Sequence, residues 1–376
     1  MSHPAPLRVA VVGAGAFGRN HLRVYRELQQ AGAPAQPGPV QGAPAQPGNV
    51  HLVAVVDPDP AALAHAVAAF GIPGFPTIEL CLAAVGPLDA ASVCVPTIHH
   101  AAAAAPLLVA GVDLLIEKPL APSLADADAI LHLAQTHNRI LQTGHLERFN
   151  PAVTAARNHL NRPMFFEAHR LSIFTPRSLD VDVVLDLMIH DLDIVLSLVA
   201  SPVREVRAVG LPVLSNKVDI ANVRLEFDNG CIANFTASRV STERIRKLRF
   251  FQPHQYLSLD FARQDLLMID VTAAAAMDPA QLAALAQMAH PTSNQTIQPT
   301  THPTTPPTSP HPTPGLSLSK LPVAPGEPLR LEIESFLHAF RTRTRPLVSG
   351  EDGRAALALA LEINQAIAAH AHRTGL

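Results

Sequence analysis

The stretch Leu7–Gly18, LRVAVVGAGAFG, decides the fold of this chain. Its apolar first half predicts a short strand that runs directly into a glycine-rich turn and a helix. Such a turn aims backbone N–H groups at one point, and the helix dipole adds positive potential there that attracts phosphate. The first glycine permits the tight turn, the second lets a pyrophosphate approach the backbone, and the third lets the helix pack against the strand. The predicted cofactor contacts in this turn are Gly13, Gly15, Ala16, Phe17 and Gly18.

A second strand, His51–Val56, ends at Asp57, the acidic residue that this fingerprint needs to bind the adenosine ribose. Asp57 follows Gly18 by 39 positions, whereas the usual distance is about 20. A tandem repeat, GAPAQPG at 32–38 and again at 42–48, accounts for the excess, since it can neither form a helix nor build a core. A chance glycine turn in another α/β fold is the alternative. A carboxylate at Asp57 also repels a 2′-phosphate, which favours NAD over NADP.

Composition excludes several classes of function. The chain has 376 residues, enough for two domains, and a net charge of −3 that gives no sign of a nucleic-acid surface. Its three cysteines are scattered and the histidines near 290–311 are irregularly spaced, so no metal site or disulfide is predicted. The N-terminus does not resemble a signal peptide, and the apolar segment Val181–Ala200 carries too many aspartates for a membrane span. A reducing, cytoplasmic compartment is expected.

The organisation changes near residue 146. Before it, strands at 7–12, 51–56, 91–95, 112–116 and 139–143 alternate with helices, including Ser123–His137, which predicts a doubly wound parallel sheet. After it come helices at 151–160 and 180–199, a strand at 164–173, and strands to about 270 with a hairpin turn at Asp228–Gly230. These predict an open, mostly antiparallel sheet with helices on one face and a second copy of the chain on the other. Residues 289–328 are predicted to be a disordered loop, and helices at 329–341 and 353–372 close the domain.

Lys118 directly follows an apolar strand. The tripeptide Glu117-Lys118-Pro119 comes after Val112–Ile116, and ligands of doubly wound sheets gather at the carboxyl ends of strands. Glu117 and Lys118 are therefore predicted to line the cofactor crevice, and Pro119 biases Lys118 toward an extended backbone. A surface lysine beyond the end of a strand is an equal alternative on spacing alone.

A polar stripe runs along the predicted helix 180–199. In a regular helix one face carries Asp182, Asp186, His190, Asp193 and Ser197, while the other positions are mostly apolar. Asp186 and His190 lie one turn apart and are predicted to hydrogen-bond, so that the carboxylate fixes the imidazole tautomer and raises its basicity. An ordinary amphipathic helix with its polar face in solvent is the alternative.

Weaker candidates accompany these two motifs. The segment that follows the strand Ser92–Val95 is predicted to line the nicotinamide side of the cofactor with three residues: Pro96, Thr97 and His100. Within Gly144–Asn150, two side chains are predicted to contact substrate: Arg148 and Asn150. A basic group near the hairpin is a candidate for binding a diphosphate, although such groups are more often solvated: Arg239, Arg244, Arg246 and Lys247. Of these, Arg239 is the predicted substrate contact.

Together these motifs resemble the glucose–fructose oxidoreductase / inositol dehydrogenase / rhizopine-catabolism family. The resemblance rests on the glycines at 13–18, Asp57, the segment 96–100, Glu117-Lys118-Pro119 and the Asp186–His190 pair, and it covers nearly all of the chain. It implies a Rossmann domain over 1–146, an α+β domain over 147–376 that often forms homo-oligomers, and NAD(P)-dependent chemistry on sugars and inositols. Lys118, Asp186 and His190 match the family's lysine, aspartate and catalytic histidine.

Within the family, residues 144–151, 186–193 and 233–251 look most like UDP-N-acetylglucosamine 3-dehydrogenases, which oxidise the sugar 3-hydroxyl for later amination, as in lipid A sugar synthesis. One departure is Asp182-Val183-Val184-Leu185, where many members are glycine-rich, so the substrate loop differs. Three other functions stay open: an inositol or other sugar dehydrogenase, an NADPH-linked imine or tetrapyrrole reductase, and a non-catalytic NAD-binding regulator. NADPH preference favours a reductase, whereas tight NAD binding without turnover favours a regulator.

Overall fold

The computed structural model describes residues 6–31, 50–174, 181–272 and 317–375, with a few residues between 277 and 281. The repeat at 32–48 lies outside the described residues, as do residues 289–316 of the stretch predicted to be disordered. Two sheets organise the described part of the chain, and helices from its C-terminal end contact both of them.

The first sheet consists of six parallel strands. They are β1 Leu7–Val12, β2 Val50–Val56, β3 Gly74–Phe75, β4 Ala90–Val93, β5 Asp113–Glu117 and β6 Leu141–Gly144. The connecting helices are α1 Ala16–Gln30, α2 Pro60–Phe70, α3 Ile78–Val85, α4 His100–Val109 and α5 Leu124–Thr136. The strand order β3-β2-β1-β4-β5-β6 reverses direction between β1 and β4, which places a ligand crevice at their carboxyl ends. The predicted doubly wound sheet is confirmed.

The second sheet has eight strands and is mostly antiparallel, as predicted. They are β7 Phe165–Ile173, β8 Val203–Leu211, β9 Ile220–Phe227, β10 Ile232–Ser241, β11 Ile245–Gln252, β12 Gln255–Asp260, β13 Asp265–Asp270 and β14 Ser317–Leu321. The remaining helices are α6 Pro151–Arg157, α7 Ile189–Val199, α8 Pro328–Thr342 and α9 Gly350–Thr374. The order is β14-β13-β12-β11-β7-β10-β9-β8, and only β7 and β10 run parallel within it.

The predicted hairpin forms between β9 and β10. Val223 and Leu225 are buried against the helices, whereas Asn222 and Arg224 on the alternate positions are exposed. Gly230 closes the turn with φ = 82°, a conformation that glycine adopts without strain. The outer face carries polar cross-strand contacts such as those of Asn222 and Arg224 with β10. That a second copy of the chain covers this face stays a prediction.

Part of the stretch predicted to be disordered is an edge strand. Residues 317–321 pair antiparallel with β13, and Lys320 Nζ lies 2.6 Å from Asp265 Oδ1. The prediction of a loop over the whole of 289–328 is therefore wrong at its C-terminal end. A five-residue strand is too short to change the average composition of this long segment, so composition alone did not predict it. The strand pairs with the otherwise open edge of β13.

Helix α8 packs on the first sheet, although it follows the second sheet in sequence. Its apolar face joins the core formed by α1 and the first strands: Leu329, Ile333, Phe336 and Leu337. The division at residue 146 predicted from the sequence places α8 in the second unit. Hydrophobic periodicity identifies the buried face of a helix but not the sheet that buries it.

The same helix carries a carboxyl group into this core. Glu332 is fully buried, and neither of its side-chain oxygens has a hydrogen-bond partner. The pKa of Glu332 is raised well above its ordinary value, mainly by burial. The negative charges of Glu117 and Asp193 raise it further. These surroundings favour the protonated, neutral form of the Glu332 side chain.

We expect the free energy of unfolding of Glu332→Gln, relative to that of the wild type, to increase as pH rises. With a raised folded-state pKa the folded protein binds the proton more tightly than the unfolded chain, so wild-type stability falls above the unfolded pKa of about 4.3. Glutamine cannot ionise and escapes this loss, which grows by up to about 1.4 kcal/mol per pH unit until the folded-state pKa is reached. Urea unfolding of both proteins between pH 5 and 8 measures it. Glu334→Gln on the same helix is the matched control, and a pH-independent difference for Glu332→Gln would contradict the assignment.

Candidate functional site

The glycine turn leaves open space at one glycine only. Gly13 has φ = 102°, and a Cβ there would lie 2.7 Å from the carbonyl of Cys94. A Cβ on Gly18 would lie 1.8 Å from the Gly13 carbonyl oxygen, so helix and turn are in direct contact. A Cβ on Gly15 would meet nothing within 4 Å. The three glycines thus fit the turn, approach and packing roles expected of a dinucleotide site.

Asp57 is fixed beside this turn at the end of β2. Its Oδ2 accepts a 2.6 Å hydrogen bond from the Ala14 N–H, and its Oδ1 accepts one of 2.8 Å from the Asp59 N–H. The side chain stays half-exposed. These contacts orient a carboxylate next to the glycine turn, which fits the ribose-binding role expected of it.

Lys118 bridges the two units and is not a surface lysine. The preceding Glu117 is buried, with Oε1 2.9 Å from His21 Nε2, and a Cβ on Gly144 would lie 2.8 Å from the same oxygen. The Lys118–Pro119 peptide bond is cis. Lys118 Nζ donates to the Asp186 backbone carbonyl at 2.7 Å and lies 3.5 Å from Asp186 Oδ1. The ammonium group therefore stands where the carboxyl end of β5 meets the helix region of the second unit.

That helix region begins with a π-helical turn. Residues Val184–Met188 are wound more widely than an α-helix, and the Ile189 N–H donates to the Val184 carbonyl five residues earlier. Asp182 lies before it and caps it by accepting from the Val184 and Leu185 N–H groups. The polar stripe predicted on a regular helix is therefore interrupted, because its angular spacing changes at 184–188.

Three members of the stripe are bound by basic side chains and do not form an ordinary solvated face. Lys118 holds Asp186, Arg148 holds the fully buried Asp193, and Arg157 donates to Ser197 at 2.8 Å. The predicted hydrogen bond between Asp186 and His190 is absent in the described residues. With the π turn between them, Asp186 contacts Lys118 instead, and His190 Nδ1 is buried without a partner.

The surroundings of His190 favour the neutral imidazole. Burial, followed by the positive charges of Lys118 and Arg170 and the nearby His145 and Arg246, lowers the pKa of His190 well below its ordinary value. An imidazole that stays unprotonated at neutral pH is able to accept a proton. This is the electrostatic condition for a general base.

Sequence reasoning missed His145 as a member of this site. It is fully buried directly after β6, neither ring nitrogen has a hydrogen-bond partner, and its ring meets that of His190 edge-on at a centroid distance of 6.2 Å. Burial is the main reason that the pKa of His145 is also lowered. The segment Gly144–Asn150 is a recognisable motif, and its position after a strand is the signal that indicates His145 as well as Arg148 and Asn150.

Arg148 and Asn150 both make bonds within the chain. Arg148 is buried and donates to both oxygens of Asp193, at 2.7 and 2.5 Å. Asn150 caps α6 by accepting from the Ala152 N–H and donates to the Phe261 carbonyl. These internal contacts were not predicted from the sequence, because Asp193 and Phe261 come close only in the folded chain. That Arg148 and Asn150 also contact substrate stays a prediction.

A second buried arginine was not predicted. Arg170 in β7 donates to both oxygens of Asp191 and to Glu147, at 2.7 to 2.9 Å. Its sequence signal was a charged residue on the buried face of the strand, in phase with Phe166 and Ala168. Since Asp191 follows His190, this network anchors the start of α7 to the second sheet.

Of the segment after β4, two residues remain at the crevice. Pro96 is exposed and Thr97 half-exposed at the carboxyl end of the strand. His100 is buried, with its ring nitrogens 3.0 Å from the Val95 carbonyl and 3.2 Å from the Leu120 carbonyl. His100 therefore connects two chain segments, and its contact with the cofactor stays a prediction.

Arg239 is also an internal residue. It is buried, its Nη2 donates to the Val181 carbonyl, and its Nε lies 3.5 Å from Asp219 Oδ1. Its contact with substrate stays a prediction. The exposed members of the basic group are Arg244, Arg246 and Lys247.

One group of potential metal ligands occurs among the described residues, where the sequence predicted none. His21 Nε2 and carboxylate oxygens of Glu117 and Glu332 lie within 4.8 Å of one another in the buried core. Both ring nitrogens of His21 already bond within the chain, to Glu117 and to Ser92. Separately, no described helix is long and apolar enough to cross a membrane.

Two family models match the chain. The oxidoreductase family with an NAD-binding Rossmann fold matches residues 7–145, and the GFO/IDH/MocA C-terminal domain matches residues 152–251. The chain belongs to this family. It is accordingly an oxidoreductase with a dinucleotide-binding Rossmann domain, as the motifs indicated.

Individual relatives agree with this. The chain is 32% identical over 368 residues to UDP-N-acetylglucosamine 3-dehydrogenase of Acidithiobacillus ferrooxidans, covering 98% of this chain and 99% of that one. A solved structure of that enzyme superposes with a TM-score of 0.76 over the same shares of the two chains. Inositol 2-dehydrogenase of Leifsonia xyli is 29% identical over 55% of this chain and 57% of its own. Levoglucosan dehydrogenase in complex with NADH, at 16% identity and a TM-score of 0.76 over 97% of each chain, shares the fold.

Proposed function

We propose that this protein is an NAD-dependent dehydrogenase that oxidises the 3-hydroxyl of UDP-N-acetylglucosamine to a ketone, which a later amination can consume, as in lipid A sugar synthesis. The observation that carries the proposal is that Lys118, at the end of β5, bonds to Asp186, four residues before His190, and that the charge of Lys118 helps to lower the pKa of His190. The choice of a nucleotide sugar is supported by the full-length relative that acts on UDP-N-acetylglucosamine.

The residues divide the reaction between them. His190 removes the proton of the hydroxyl as general base, because its pKa keeps the ring neutral. Lys118 donates a hydrogen bond to the same oxygen and stabilises the negative charge that develops there. Asp186 positions Lys118 through its backbone and side-chain oxygens. The glycine turn and Asp57 would hold NAD, and a bound NAD would supply the hydride acceptor for the carbon.

The test is NADH formation in the presence of candidate substrates. We expect turnover with UDP-N-acetylglucosamine and much less with N-acetylglucosamine, UDP-glucose or inositols, and NMR of the product should place the new carbonyl at C3. If UDP-N-acetylglucosamine gives no NADH while an inositol does, the chain is an inositol dehydrogenase. NAD binding without turnover of any of them would instead favour a regulator.

Asp57 should set the preference for NAD. Its carboxylate is held by the Ala14 and Asp59 N–H groups where the adenosine ribose is expected, and it repels a 2′-phosphate. We expect Asp57→Ser to lower the ratio of kcat/KM for NAD over that for NADP by at least about tenfold, equivalent to about 1.4 kcal/mol. Steady-state kinetics with both cofactors measures it. Asp59→Ser, two residues on and exposed, is the control, and an unchanged ratio for Asp57→Ser would show that another group selects the cofactor.

A further inference from the structure

Three arginines form a staggered row on the helix-covered face of the second sheet, since Arg170 pairs with Arg246 on β11 but with Ala237, two positions before Arg239, on β10. They come from the adjacent strands β11, β7 and β10: Arg246, Arg170 and Arg239. Arg246 is paired with Arg170 in the strand register, and Leu248 and Phe250 at alternate positions of β11 are buried. Because side chains alternate along a strand, Arg246 shares the covered face with these residues.

Arg246 is the member of this row whose charge is least neutralised. Arg170 is bound by Asp191 and Glu147 at hydrogen-bond distances. Among the described residues, the carboxylate within 4 Å of Arg246 is that of Glu147, at 3.8 Å between Nη1 and Oε1. The same Oε1 accepts a hydrogen bond of 2.9 Å from Arg170, so it neutralises Arg246 only in part. The Arg246 side chain is 44% exposed, so its guanidinium is also accessible.

The same side chain belongs to the surroundings of the catalytic histidine. Glu147 joins Arg246 to Arg170, and Arg170 is bound to Asp191, the residue after His190. The positive charge of Arg246 is among the causes that lower the pKa of His190. A partly accessible cation is thus linked, through Glu147 and Arg170, to Asp191, the residue next to the proposed general base.

We propose that Arg246 binds the diphosphate of the nucleotide-sugar substrate. This inference rests on the proposed function and adds the group that recognises the anionic part of the substrate. A guanidinium donates paired hydrogen bonds to phosphate oxygens, which an ammonium group does not match. Since a neutral sugar or an inositol offers no such partner, Arg246 favours a phosphorylated ligand over an uncharged one.

The test is the binding of UDP to the full-length protein, measured by isothermal titration calorimetry with saturating NAD so that the glycine turn is filled. We expect Arg246→Gln to weaken UDP binding roughly 10- to 100-fold and Arg246→Lys to weaken it less. Arg249→Gln is the matched control. Arg249 lies three positions further along the same strand and therefore on the opposite face of the sheet. Its side chain is 37% exposed and pairs with Glu167 at 3.7 Å.

The outcomes separate this inference from the proposed function. Equal UDP affinity in the wild type and Arg246→Gln, or no UDP binding by the wild type, overturns the anion site. UDP binding that depends on Arg246, without turnover of UDP-N-acetylglucosamine, supports the anion site and overturns the proposed substrate. Misfolding is checked by thermal unfolding. Little change is expected because the pair is long, the Arg246 side chain is half-exposed, and the buried Glu147 keeps its bond to Arg170.

Discussion

Lys118→Ala and His190→Ala should each lower kcat about 10²- to 10⁴-fold while leaving NAD affinity nearly unchanged. Lys118 is the cation that reaches from the end of β5 to Asp186, and His190, four residues further on, is the imidazole whose lowered pKa favours the neutral form. In the proposed mechanism both act on the hydroxyl in the transition state, and the glycine turn and Asp57 bind the cofactor. Steady-state kinetics with UDP-N-acetylglucosamine and calorimetric titration with NAD separate the two effects.

Two further measurements make this prediction sharper. Lys320→Ala removes a lysine from an ion pair at the edge of the second sheet and should leave kcat unchanged. The acidic limb of the wild-type pH profile should lie below the ordinary histidine pKa of about 6.5, because the pKa of His190 is lowered. Weak NAD binding in both alanine variants, or an acidic limb above that value, would contradict the assigned roles.

Gly15→Ala should abolish tight NAD binding in a protein that still folds, whereas Gly18→Ala should fail in folding itself. A Cβ at position 15 meets nothing within 4 Å and fits the local backbone, so we expect the free energy of unfolding to change by no more than about 0.5 kcal/mol. That methyl group occupies the space through which a pyrophosphate approaches, so the Kd for NAD should rise at least about tenfold.

At position 18 a Cβ would lie 1.8 Å from the Gly13 carbonyl oxygen, which is backbone and cannot turn away. We expect a loss of about 3 kcal/mol or more in the free energy of unfolding. Urea unfolding and NAD titration of both variants test the pair. Similar losses of stability in the two proteins would show that position 15 is also packed, and unchanged NAD affinity in Gly15→Ala would remove the pyrophosphate from this turn.

The sequence predicted those parts of the site that depend on local geometry. The glycine turn, Asp57 and Lys118 each lie at a strand end, and in a parallel sheet such ends share one edge. Hydrophobic alternation likewise placed the β9–β10 hairpin correctly, because a strand with one buried face has only one register that keeps its apolar side chains inside.

The parts that depend on distant partners escaped it. Arg148 was expected to contact substrate, but its partner Asp193 lies 45 positions away and is adjacent only in the folded chain. The π turn at 184–188 could not be predicted, because this apolar segment has no sequence feature that distinguishes an α from a π winding. With this turn present, Asp186 contacts Lys118 and not His190. His145 lacked a signal of its own, since a buried histidine is more often structural.

The most direct measurement is a crystal structure of the protein with NADH and UDP-N-acetylglucosamine. The account predicts that Lys118 Nζ and one ring nitrogen of His190 both lie within hydrogen-bond reach, about 2.6 to 3.2 Å, of the sugar 3-hydroxyl oxygen. A complex in which these two side chains approach different atoms of the sugar, or in which the sugar lies away from the junction of β5 with the π turn, would contradict it.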